Sequence, residues 1–385
     1  MLKFLRISSA YPEFLKQLND RNIKNFKALE FNEILEIYFR ENYSVSNNIS
    51  KELNKLNYKC YEIISNFKIL QDKWMEEFGD KNSDKEILIQ QINFYKPDIL
   101  FLGNAELAKK SNIDKIRKFD FIKLIIAFHC APINKKIIEN LNNVDGIITC
   151  TEGYKKNYKK LFSKNVLLMH HAFPENNLVD WNKKSIDISF IGSIFLSQNL
   201  HNNRVDLVYS IMKQFKNNYI SINFSKKFII TYLLSIFGSL INFNIFKNPS
   251  FYYKILYIYL FSKKPIFGNK MYEILSKTKI LLNTHIGDTE YAGNMRLFEG
   301  TGHGCMVITD YKKGLENLFE IGKELETFDS KIDLINKCSK YLNDLSLLKT
   351  KSISGQKRTL NDHTYKLRIK NLDTYINELL NEKNI

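Results

Sequence analysis

Short apolar runs, each halted by a glycine, a proline or a polar turn and followed by a stretch of helical periodicity, recur along the chain. That alternation restricts its fold more than any other feature. MLKFLRIS reads as a first strand, and SVSNNISKELNKLNYKCYEII as a helix capped near Ser46 followed by a strand over Tyr58 to Ile64. ILIQQINFYKPDILFLG is a helix that must end before Pro97, then a buried strand running to Gly103. FIKLIIAFHCAP is a strand closed by Pro132, and VDGIITCTEGYKKNYKKLF gives strand, turn and helix. Strands and helices in strict alternation specify a parallel sheet covered on both faces.

The rhythm loosens at PENNLVDWNKKS, residues 174 to 185, which reads as a linker. It restarts at IDISFIGS, and KILLNTHIG, CMVITD and KELETF supply further strands. SKIDLINKCSKYL and TYKLRIKNLDTYINELL are amphipathic helices. A chain of 385 residues exceeds one comfortable core. The expected boundaries are a first α/β lobe over 1–175, a second over 183–360, and a last helix over 361–385 that crosses back to the first lobe or caps the second.

The net charge of +16 raises the prospect of a phosphate-bearing partner. Arginine, the better reader of bases and phosphates, occurs only eight times against a background rich in Lys, Asn and Ile, so no nucleic-acid partner is expected. The excess is concentrated: Leu207 to Tyr272 contains nine lysines and no Asp or Glu. Within it residues 228 to 246 run 19 positions without a charge between Lys226, Lys227 and Lys247, and FYYKILYIYLF follows with Lys263 and Lys264 behind it. Polar residues inside the run argue against a span. The basic apolar insertion at 226–264 is instead expected to rest on an anionic membrane surface or to enlarge the second lobe as buried helices. Five cysteines without C-x-x-C spacing fit a reducing compartment, and MLKFLRISSAYPEFL lacks the core of a signal peptide. A cytoplasmic protein, peripheral on the inner face of the cell membrane, is the expected location. No two His or Cys show ligand spacing, so no metal site is expected.

Chemistry concentrates in NMRLFEGTGHG, residues 294 to 304. A loop leading from the strand end at His285 into a helix offers free N–H groups and a positive dipole end to an anionic phosphate. Arg296 can grip a diphosphate, and Glu299 can accept from a ribose diol. Gly300, Gly302 and Gly304 allow the helix to approach the sheet closely. The bland alternative is that Arg296 and Glu299, three apart, pair with each other. His129, closing the strand in LIIAFHCAP, sits where open α/β sheets bind ligands. It is a candidate general base or a hydrogen-bonded structural histidine.

Taken in order, FIGS with H-x-x-R (His201, Arg204), MYEILSKTKILLNTHIG, NMRLFEGTGHG, VITD and NDHTYKLR resemble the C-terminal region of CgeB-like glycosyltransferases, most strongly over 186 to 372. These are named for spore-maturation proteins and are common in surface-polysaccharide loci. The resemblance implies the GT-B architecture: two Rossmann-like lobes with parallel sheets facing a cleft, acceptor on the first and nucleotide-sugar donor on the second. It also implies a transfer to a glycan or lipid-linked acceptor with no cofactor beyond the donor substrate. The donor would be held by Gly192, Ser193, Arg204, His285, Asn294, Arg296, Glu299 and Gly300, without a metal. Retaining GT-B enzymes carry E-x7-E. Glu299 is similar to the second Glu, whereas Tyr291 stands at the first, with Asp288 and Glu290 as neighbouring carboxylates. A non-catalytic glycan-binding or scaffold protein of the same fold is the alternative.

Overall fold

The computed structural model describes residues 1–174, 179–194, 202–224, 249–285 and 289–383. His201, Lys226, Lys227, Lys247, Asp288 and the uncharged run 228–246 lie outside the described residues. The chain divides into two compact units, Met1–Pro174 with Thr364–Ile385, and Glu175–His363.

In the first unit β1 (Leu2–Ser8), β2 (Tyr58–Ile64), β3 (Ile99–Leu102), β4 (Leu124–Phe128), β5 (Gly146–Thr149) and β6 (Val166–Leu168) form one parallel sheet in the order β2-β1-β3-β4-β5-β6. Successive side chains of a strand point to opposite faces. Thus Leu5, Leu100, Leu102, Ile125 and Ile147 pack into one core, while Phe4, Ile99, Phe101, Ile126 and Ile148 pack into another. The second core is closed by the last helix, Tyr365–Glu382, through Tyr365, Ile369, Leu372, Ile376 and Leu379 at helical spacing. Tyr375 Oη receives the Ile147 N–H at 3.0 Å. Its contact leaves no room for a side chain at Gly146, where a Cβ would lie 2.6 Å from both that oxygen and Leu379 Cδ1.

The second unit repeats the plan with β7 (Ile186–Ile194), β8 (Asn218–Phe224), β9 (Thr278–Asn283), β10 (Met306–Asp310) and β11 (Glu326–Phe328), parallel and ordered β11-β10-β9-β7-β8. β8 is the strand that the sequence reading lacks. NYISINF sits inside the basic region that breaks the alternation, yet it pairs along its length with β7. Helices Asn202–Gln214 and Pro249–Phe261 cover it, burying Val205, Val208, Ile255 and Ile258. The order places β7 beside β8 on one side and β9 on the other, so the connections diverge at the carboxyl ends of β7 and β9. Open α/β sheets bind ligands at such a switch point. Among the described residues no helix is long and apolar enough to cross a membrane.

Cys130 and Cys150 form a disulfide, while Cys60, Cys305 and Cys338 are free. Twenty residues separate the pair in sequence, and only the adjacency of β4 and β5 brings them together.

Candidate active site

The switch point of the second sheet is fastened by Arg204. Its Nε donates to Thr284 Oγ1 at 2.7 Å, Nη2 to the Thr284 carbonyl at 3.0 Å, and Nη1 to the Ser193 carbonyl at 2.6 Å. The ends of β7 and β9 are thereby held by one rigid fork, and the guanidinium also lies over the Phe190 ring. Burial pushes Arg204 down to about 10, against the lift from Asp310, so it stays charged at neutral pH. The sequence reading gives Arg204 to the donor; in the described structure three of its five N–H groups hold the two strand ends. Gly192 and Ser193 are the last residues of β7 before its end at Ile194, opposite Ile222 and Asn223 of β8.

His285 follows β9 and is 7% exposed. Its backbone N–H and its ring Nδ1 both meet Asp310 Oδ1 at 2.9 Å. A carboxylate only accepts, so Nδ1 carries the proton toward Asp310. Burial works to raise the Asp310 pKa, but the His285 hydrogen bonds outweigh it and hold the carboxyl below its usual range. His285 Nε2 is buried and has no hydrogen-bond partner among the described residues. An unsatisfied buried nitrogen of this kind costs about 1–3 kcal/mol and asks for an explanation.

The Met295–Gly302 helix begins beside it. Asn294 caps that helix by accepting from the Leu297 N–H at 3.3 Å. Its amide donates to Asn283 Oδ1 at 3.0 Å and to the Thr284 carbonyl at 3.3 Å, which ties the helix start to the end of β9. Gly300 brings the helix onto the sheet: a Cβ there would lie 2.3 Å from Leu281 Cδ2 and 2.9 Å from Val307 Cγ2. Gly304 turns the chain out of the helix at φ +65°.

Arg296 and Glu299 meet directly, Nη1 to Oε2 at 2.6 Å, on a face that buries the carboxylate to 3% exposure. Tyr272 Oη donates to Glu299 Oε1 at 3.3 Å, and the His303 ring stacks on Tyr272 at 4.8 Å. Burial raises the Glu299 pKa, opposed by the Arg296 charge and the Tyr272 hydrogen bond. Tyr291 forms an isolated bridge with Lys313, and the exposed Glu290 side chain pairs with the Lys313 ammonium. In the first unit His129 follows β4, is 9% exposed, and has its ring near Tyr158 at 6.4 Å. Burial lowers its pKa, which keeps the ring neutral, and Nε2 has no partner among the described residues.

Sequence reasoning misses Asp310, although VITD is among its motifs, because the pairing with His285 depends on β9 lying next to β10. It also misses Lys184, whose buried ammonium donates to the carbonyls of Thr278 at 2.7 Å, His303 at 3.1 Å and Ser276 at 3.2 Å. One cation thus finishes two helices and a strand start.

Two all-parallel units, the second with a polar switch-point edge and a helix N-terminus beside it, define a Rossmann-like α/β protein. Residues 236–374 match the family model Glyco_trans_1_2, described as glycosyl transferase-like. The chain is similar in structure to HepE (Alr3699) of Anabaena, solved in complex with UDP and glucose. The TM-score is 0.60 at 9% identity, over 98% of this chain and 100% of that one. A glycosyltransferase from Rickettsia africae matches with TM-score 0.55 at 13% identity, over 98% of each chain. Sucrose-phosphate synthase from Thermosynechococcus elongatus matches with TM-score 0.56 at 9% identity, over 99% and 100%. No curated protein matches the chain in sequence. The chain therefore has the GT-B fold, and residues 236–374 match a glycosyl transferase-like family model.

Proposed function

We propose that this chain is a glycosyltransferase that binds a nucleoside-diphosphate sugar at the carboxyl edge of the second sheet and transfers the sugar to a glycan or lipid-linked acceptor. Within the GT-B class the order of its motifs favours the CgeB-like group and a role in surface-polysaccharide synthesis. The observation that carries the reading is His285: a nine-tenths buried imidazole, oriented by Asp310, whose Nε2 has no hydrogen-bond partner among the described residues at the switch point. The neutral ring would accept from a sugar hydroxyl, and the protonated ring would donate to a diphosphate oxygen. The capped start of the Met295–Gly302 helix supplies further N–H groups to that diphosphate. Glu299, with acceptor capacity beyond Arg296 and Tyr272, would take the ribose diol, and the rest of the Arg296 fork would face phosphate. Preorganised amides and cations then neutralise the leaving group without a tightly held metal in the donor site. For an inverting transfer His129 is the candidate base, its neutral ring being the proton-accepting form.

The described part of the basic region supports a membrane-facing role. The Pro249–Phe261 helix exposes Tyr253, Leu256, Tyr259, Leu260 and Phe261 beside Lys263 and Lys264. Aromatic and cationic groups so mixed suit the inner, anionic surface of a membrane.

Titration calorimetry with UDP and a panel of nucleotide-sugars tests the donor reading, and Mg2+-free turnover tests the metal reading. The non-catalytic alternative is favoured by Tyr291 at the first-Glu position and by Glu290 being drawn to Lys313. Donor hydrolysis or transfer by the purified protein eliminates that alternative; nucleotide binding without turnover on any donor supports it.

A further inference from the structure

Three neighbouring strands of the first sheet, β4, β5 and β6, each release a metal-ligating residue just past their carboxyl ends: Cys130, Cys150 and His171. Their sulfurs and one imidazole nitrogen all lie within 4.8 Å of one another. Cys150 is buried, and Cys130 and His171 are half-buried. The surrounding backbone is fixed. The His170 ring nitrogen Nδ1 donates to the Cys150 carbonyl at 2.8 Å, and Arg368 of the last helix donates to the His170 carbonyl at 3.3 Å. The Phe128 ring stands against His171 at 6.3 Å.

We propose that Cys130, Cys150 and His171 form, in the reduced protein, a binding site for a thiophilic divalent metal ion of the zinc class. A disulfide needs only the two cysteines, whose Cα atoms are 5.5 Å apart. The third group converging on the pair is what a metal requires and a disulfide does not. Two thiolates and an imidazole select zinc over the oxygen-seeking Mg2+ and Ca2+. Among the described residues no fourth His, Cys, Asp or Glu joins the cluster. Sites with three protein ligands leave a coordination position for water or substrate.

The disulfide and the metal exclude each other. Dithiothreitol supplies two electrons and two protons to convert the Cys130–Cys150 bond to two thiols and itself closes to a cyclic disulfide. Zn2+ then takes two thiolates and the neutral ring, releasing two protons. The oxidised form offers only His171. This site is independent of the donor reading, since it lies wholly in the first unit.

The test uses the full chain, reduced and desalted without oxygen, titrated with Co2+ as a spectroscopic probe and with Zn2+ against a chromophoric chelator. Thiol counting in denaturant is expected to give three thiols before reduction and five after, from the free Cys60, Cys305 and Cys338 plus the pair. The reduced protein should bind one equivalent with thiolate-to-cobalt charge transfer, and the oxidised protein none. Cys130→Ser, Cys150→Ser and His171→Ala should each weaken binding at least ~10-fold. His171→Ala leaves both cysteines in place, so the comparison survives if a serine variant fails to fold. A thiol count that stays at three under reductant, or a folded reduced protein that binds metal no better than His171→Ala, overturns the proposal.

Discussion

Replacing Gly300 by alanine sets two effects of opposite sign against each other. In an unconstrained helix interior the change stabilises by about 1 kcal/mol, because glycine loses more backbone freedom on folding. Here the new methyl would stand 2.3 Å from Leu281 Cδ2 and 2.9 Å from Val307 Cγ2, both side chains fully buried between the helix and the sheet. Relieving two such contacts in a packed core costs about 1–3 kcal/mol. Overpacking should therefore win, with a net loss of about 1 kcal/mol. The assay is urea unfolding of wild type, Gly300→Ala, Leu281→Ala and the double variant, comparing midpoints at constant slope. Leu281→Ala alone should cost about 2–5 kcal/mol. In that background the room left by Cδ2 should make Gly300→Ala neutral or stabilising, a coupling of about 1–2 kcal/mol. A Gly300→Ala variant more stable than wild type, or the same increment in both backgrounds, would refute the packing argument.

The pH dependence of stability follows from His303, which burial, helped by the Lys184 and Arg296 charges, pushes down to about 4 against the lift from the Glu299 carbonyl. Between about pH 6.5 and 4 the unfolded chain binds the proton that the folded ring refuses. Its stabilising contribution is thus present above 6.5 and is lost as pH falls, by about 3 kcal/mol in total. His303→Phe should flatten that limb of a stability-against-pH curve, and an unchanged limb would show that another group controls it. Lys184→Met should cost about 2–4 kcal/mol in urea unfolding by leaving buried carbonyls without a donor. A loss under 0.5 kcal/mol, taken here as roughly the scatter of surface substitutions, would contradict that role. Lys263→Glu with Lys264→Glu should release the protein from anionic vesicles while leaving UDP affinity unchanged; unaltered partitioning would remove the membrane role.

What could be read in the sequence was what local pattern determines. Strand ends at Gly103 and His285 and the helix start at Asn294 are set by neighbours in the chain, and the structure places them accordingly, whereas the strand expected to run to Pro132 ends at Phe128. The close approach at Gly300 was also legible, since glycine inside a helix needs a reason. Groups that meet across strands were not. Arg204 reaches Ser193 and Thr284, and Asp310 reaches His285, only because β7, β9 and β10 lie side by side. Cys130, Cys150 and His171 show no ligand spacing because each belongs to a different strand, and strand order rather than interval brings them together. β8 was hidden by its surroundings, an alternating strand embedded in a lysine-rich apolar region whose composition drowned its period.

The donor-site account stands or falls on His285. Calorimetric titration of UDP into wild type, His285→Ala and Asp310→Asn, each verified as folded, measures it directly. The account predicts binding by wild type and a loss of about 1.5–3 kcal/mol in His285→Ala, which is roughly 10- to 150-fold in Kd. Asp310→Asn should show a smaller loss, because the ring remains but is no longer held. Equal UDP affinity in all three proteins would contradict it.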